Sequence, residues 1–118
     1  MRFARTPFDT LRHRSQLARE IGTVGPEDLA TLGLTRAALR DVALMPAEQI
    51  ARMRRMGALH GVDMHHDLDP RDQAELSLRC AHCADNGRCR RDLAAGVSDT
   101  ARLDYCPNAS LYAAMAEG

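Results

Sequence analysis

Every cysteine of the chain lies in its last third, in two short runs: Cys80, Cys83 and Cys89 within ten residues, and Cys106 in Tyr105-Cys106-Pro107-Asn108. Thiolates are soft ligands that suit zinc, iron and copper(I), and a two-residue gap lets two sulfurs approach one ion. Cys80, Cys83, Cys89 and Cys106 therefore read as the ligands of one centre. Zinc is the first candidate and a [4Fe-4S] cluster the alternative; two disulfides are the third chemistry open to four thiols. Four cysteines would close a zinc shell, whereas catalytic zinc keeps a position open for water. The expectation is a structural centre and no enzymatic activity. His82 is a substitute ligand by type, but a residue between two ligating cysteines points away from them, so exposure is expected. His65 and His66, among Asp63, Asp67 and Asp69, read as a polar connector, because the spacing and terminal glutamate of a calcium loop are missing.

A centre of this kind has to be carried by helices. The apolar residues are mostly Ala, Leu and Met, tryptophan is absent and aromatics make up 3% of the chain, a composition that favours helices over sheets. Thr6-Pro7-Phe8-Asp9 predicts a helix start, followed by Phe8, Leu11, Ala18 and Ile21 on one line and an end at Gly22. Gly25-Pro26 opens a short helix that stops at Gly33, and Thr35 caps the next. A further helix runs from Met45-Pro46 toward His60, with Ile50, Met53, Gly57 and His60 as its inner line and Arg52, Arg54 and Arg55 turned outward. Asp69-Pro70 starts the helix that delivers Cys80 and Cys83. Asn86-Gly87 is expected as a turn that swings Cys89 back toward them. A short helix through Leu93 to Gly96 follows, and Pro107 suits the first turn of a last helix, whose free N–H groups would face the thiolates.

The charges balance to zero, so no global field draws the chain to nucleic acid. Locally, Arg79, Arg88, Arg90 and Arg91 surround the cysteines and would offset an anionic thiolate shell. No run is long enough to cross a bilayer. Residues 3–19 carry Phe3, Phe8 and several arginines, but the apolar stripe is too thin for membrane-surface contact to be expected. No signal peptide is evident, which makes the cytoplasm the expected compartment and disfavours disulfides.

Four resemblances add to this reading. The segment 27–36, with Leu29, Gly33, Leu34 and Arg36, resembles the core motif of the small arginine-rich YjiS-like proteins. That resemblance implies RNA binding, for which Arg36, Arg52, Arg54 and Arg55 are the candidate contacts. Cys80, Cys83 and Cys89 resemble three of the four ligands of the cluster loop in endonuclease-III-like glycosylases, and Cys106-Pro107 resembles the last Cys-Pro of bacterial ferredoxins. The fourth cysteine follows the run here, whereas in the glycosylases it comes first. Residues 60–116 resemble the alphaproteobacterial domain of unknown function 6455, with its CxxC…C…WL…FCPNA pattern. Cys80, Cys83, Cys89, Leu93, Cys106, Pro107, Asn108 and Ala109 match; Asp92 stands for the tryptophan and Tyr105 for the phenylalanine.

The sequence thus predicts an all-α chain, a small orthogonal bundle of short helices with a four-cysteine site in its C-terminal half. It reads as one domain over 1–118, with N-terminal helices over 6–60 and cysteine-site helices over 61–118. The expected role is regulation or binding, with a protein partner and a structural zinc; a [4Fe-4S] redox or iron sensor and an RNA-binding regulator are the alternatives.

Overall fold

A computed structural model describes the backbone of residues 7–118 and side chains from Arg12 onward. The predicted cap Thr6 and the side chains of Phe3, Phe8 and Leu11 lie outside the described residues. Seven α-helices follow one another: α1 (Pro7–Thr23), α2 (Pro26–Leu32), α3 (Arg36–Ala43), α4 (Ala47–Leu59), α5 (Pro70–Ala81), α6 (Asn86–Ala94) and α7 (Ala109–Glu117). One 3-10 turn, Thr100–Leu103, precedes α7, and there is no strand among the described residues.

Local chemistry sets most of these boundaries. The Thr35 hydroxyl accepts from the Ala38 N–H at 3.1 Å and the Asp69 carboxylate from the Asp72 N–H at 2.8 Å, each satisfying a donor that the first turn leaves free. Asp99 caps the 3-10 turn in the same way, accepting from Ala101 at 3.0 Å. At the other end of α2, Gly33 sits at φ 69°, a left-handed conformation that closes the helix without a Cβ clash.

Two predicted starts shift. Asn86 and Gly87 are the first residues of α6 and make no turn of their own; the reversal after Cys83 falls on Ala84 and Asp85. α7 begins at Ala109 with Asn108 as its cap residue, so Pro107 lies just before the helix.

The core is built almost wholly from the later helices. Met45, Met53, Met56, Val62, Met64, Leu76, Leu93, Leu103 and Tyr112 form one buried cluster. Leu76, Leu103 and Tyr112 are 0% exposed, which places α5, the 3-10 turn and α7 at its centre. The buried line of α4 is Gln49, Met53, Met56 and Gly57, rotated from the predicted line so that Ile50 and His60 are only half-buried. Gly57 lets α4 sit close to Tyr112 of α7: a Cβ there would stand 3.4 Å from the Tyr112 ring and 3.3 Å from Met64. The earlier helices sit outside this core. α2 and α3 pack on α5, and α1 packs on α3.

Candidate metal centre

The helices converge on a cavity between α4, the end of α5, the start of α6 and the Tyr105–Asn108 segment. Its wall includes all four cysteines together with Gln49, Arg52, Met53, Met56, Asn86, Tyr105, Pro107, Asn108 and Tyr112. Cys80 arrives from the last turn of α5, Cys83 from just beyond it, Cys89 from the first turn of α6, and Cys106 from the bend before α7. All four are half-buried free thiols. The centre of a water-sized body has about 30 Å³ to move in, room for an ion. The sulfurs line this space without being drawn together: among the described residues no three His, Cys, Asp or Glu side chains form an ion-holding group. Helix positions set the shared cavity, whereas each thiol swings on a single χ1.

Every sulfur has a favourable neighbour. Gln49 donates its Nε2–H to the Cys80 carbonyl at 2.8 Å and reaches the Cys80 sulfur at 3.7 Å. The Asp85 N–H donates to the Cys83 sulfur at 3.3 Å, and the Asn108 N–H donates to that of Cys106. Arg52 places its positive charge near Cys80 and Cys89.

These neighbours do not outweigh burial. Desolvation raises the pKa of Cys80, with Cys83 adding to it, and Gln49 and Arg52 oppose the shift. Burial raises Cys89 too, against Arg52, and pushes Cys106 up to about 11 despite the Asn108 N–H. Without a cation these three thiols keep their protons at neutral pH. An ion that displaced those protons would turn the same N–H groups into partners of thiolates.

Around the thiols stand polar groups fixed from outside the cysteine motif. Asn108, 1% exposed, donates Nδ2–H to the Leu76 carbonyl at 2.9 Å, which ties the Cys106 bend to α5. Tyr112 approaches the Met53 carbonyl at 3.4 Å, and its ring lies 5.5 Å from that of His60. Asp92 and Tyr105, the two residues that depart from the resembled pattern, meet each other: the phenol donates to Asp92 Oδ2 at 2.9 Å. Arg88 lies 4.1 Å over the same ring. Of the pair, Tyr105 lines the cavity and Asp92 holds it from behind.

Several expectations are corrected here. Arg52 turns inward: its Nη2 donates to Asn86 Oδ1 at 2.7 Å and its buried Nε has no partner. Arg36 donates to the Ile21 carbonyl. Of the four proposed nucleic-acid contacts, Arg54 and Arg55 are exposed and Arg36 and Arg52 are half-buried. Arg79, Arg88, Arg90 and Arg91 are exposed, with Arg79 paired to Glu75 at 3.1 Å, and none lines the cavity. His82 is exposed as expected and faces Asp41 at 2.8 Å. His65 and His66 lie in an exposed loop that Asp63 and Asp67 organise: Asp63 Oδ1 accepts from the His65 N–H at 2.9 Å, and Asp67 Oδ2 from the Asp63 N–H at 2.8 Å.

Sequence reading missed Gln49, Arg52 and Tyr112. Gln49, Met53 and Met56 recur at i, i+4 and i+7, so a glutamine on an apolar helical line was the available signal.

Fold and site together define a small helical protein that carries four thiols on the wall of one internal cavity. The chain belongs to the DUF6455 family, a family of unknown function, whose model matches residues 44–118. That match includes every cavity-lining residue and leaves 27–36 outside. No curated protein and no solved structure matches the chain.

Proposed function

We propose that this chain is a non-enzymatic binding or regulatory protein whose C-terminal helices are held by a metal ion on Cys80, Cys83, Cys89 and Cys106, with zinc the first candidate. The observation that carries this reading is that all four thiols line one cavity with room for an ion. Three further features support it. Soft sulfur donors suit zinc. The N–H groups of Gln49, Asp85 and Asn108 face sulfurs, and a thiolate accepts such bonds far better than a thiol does. Arg52 Nε is a buried donor still lacking an acceptor. A bound ion would supply cross-linking between α5, α6 and the bend before α7, and its binding energy would count as folding energy.

Four thiolates leave no position for water or substrate, which is why we assign the ion a structural part. The partner recognised by such a module would be a protein.

Elemental analysis with an absorption spectrum on protein purified without oxygen tests this. One zinc per chain and no visible absorption is the expected result. Iron with matching sulfide and a broad band near roughly 400 nm would replace the ion by a [4Fe-4S] cluster and favour a sensor. Neither metal, with cysteines oxidised in fresh protein, would sink the reading.

A further inference from the structure

Among the described residues, Arg52 is the one cationic side chain on the wall of the thiol cavity. It comes from α4, outside the cysteine-bearing segments, and its orientation is fixed. Nη2 donates to Asn86 Oδ1 at 2.7 Å, and Asn86 opens α6 between Cys83 and Cys89. The Nε of the same guanidinium is buried with no partner. Burying an N–H with no acceptor is costly, and a guanidinium cannot shed its proton to escape the cost. The arrangement makes sense once an acceptor and a negative charge are present. Four thiolates around a divalent cation leave a net charge of about minus two, beside the apolar wall that Met53, Met56 and Tyr112 give the cavity.

We propose that Arg52 is a positioning residue of the four-cysteine centre: its buried Nε–H is the outer hydrogen-bond donor, and its fixed charge the counter-charge, for the shell that Cys80, Cys83, Cys89 and Cys106 form around a cation. The inference rests on the reading of those cysteines as metal ligands. It assigns to one internal arginine what the exposed Arg79, Arg88, Arg90 and Arg91 cannot supply from the surface, where water screens their charge. A purely mechanical alternative exists, in which Arg52 only ties α4 to α6 through Asn86. That role would show in stability and leave metal affinity unchanged in protein that remains folded.

The experiment uses the full chain, loaded with the metal found in the purified protein, and measures its retention against a chromophoric chelator. Arg52→Met and Arg52→Gln are compared with wild type and with Arg54→Met, a control at an exposed neighbour on the same helix. Circular dichroism checks that each is folded. The expected result is metal binding weakened about 10–100-fold in both Arg52 variants, the range typical of lost outer partners, and unchanged in Arg54→Met. Wild-type affinity in folded Arg52→Met overturns the proposal. Should that variant fail to fold, Arg52→Gln decides alone, since it keeps a side chain able to bond Asn86: weakened binding supports the proposal and wild-type affinity overturns it. Wild-type protein that holds no metal overturns the underlying reading and this inference with it. Wild-type protein that holds metal as well as the Arg52 variants do overturns the inference only.

Discussion

The described helices before residue 44 and the segment after it are stabilised in different ways. In the later segment nine apolar side chains form one buried cluster, and a cavity lined by four thiols is set against it. In the earlier one, α2 and α3 have no buried residue inside their spans, and the buried apolar positions are Ile21 on α1 and Leu34 in the turn between α2 and α3. Those helices are specified by caps, turns and the contact of α2 and α3 with α5. The family match begins at residue 44, where the core also begins. A helix can therefore be well formed locally and still contribute little to a core.

The largest effect expected from breaking one side of this comparison is at the thiols. Cys83→Ser should abolish metal binding and lower the melting temperature by about 10 °C or more, since the ion's cross-link between α5 and α6 is lost with it. Retained stoichiometric metal would sink the four-ligand scheme. Next come paired core truncations. Leu76→Ala, at a position with 0% exposure, should cost about 2–5 kcal/mol in urea unfolding, whereas Leu34→Ala, at 9% exposure and away from the main cluster, should fall at or below the lower end of that range. Equal losses would mean that the two regions share one core.

A smaller effect is expected at a cap. Asp69→Ala removes the acceptor of the Asp72 N–H at the start of α5 and should cost about 1 kcal/mol, read from the same unfolding curves. It should leave metal affinity close to wild type, because the cap lies at the opposite end of α5 from Cys80.

Much of the local structure is legible in the sequence. Thr35 and Asp69 cap where the capping chemistry of Thr and Asp predicts, and Gly33 ends α2 in the left-handed conformation that glycine tolerates. That Cys80, Cys83, Cys89 and Cys106 lie on one side of the molecule is also readable, since short gaps and a helix end limit where the residues can go; they line one cavity without forming an ion-holding group among the described residues. The side-chain directions were less so. Arg52 reads as a surface residue because charge normally faces water; in the structure it lines the cavity and its guanidinium reaches Asn86. Asn86-Gly87 carried a strong turn signal, yet Ala84 and Asp85 complete the reversal and free Asn86 to hold Arg52. Asn108 and Tyr112 bond carbonyls 32 and 59 residues earlier in the chain, pairings that no local pattern encodes.

The finest test of the comparison is the His82–Asp41 contact that joins the two regions beside the cysteines. His82, between two of the thiols in sequence, faces Asp41 on α3 at 2.8 Å, and both side chains are more than half exposed. Exposed pairs of this kind contribute about 0–1 kcal/mol, because water competes for both groups and the contact orders two side chains. Asp41→Ala should therefore change stability by no more than that and leave metal affinity as it is. If Asp41→Ala instead released the metal, α3 would be acting on Cys80 and Cys83 through His82, and the earlier helices would belong to the site. An unchanged centre would mean that it is held from within 44–118, by Gln49, Arg52 and Asn108, with α3 resting against its outer face.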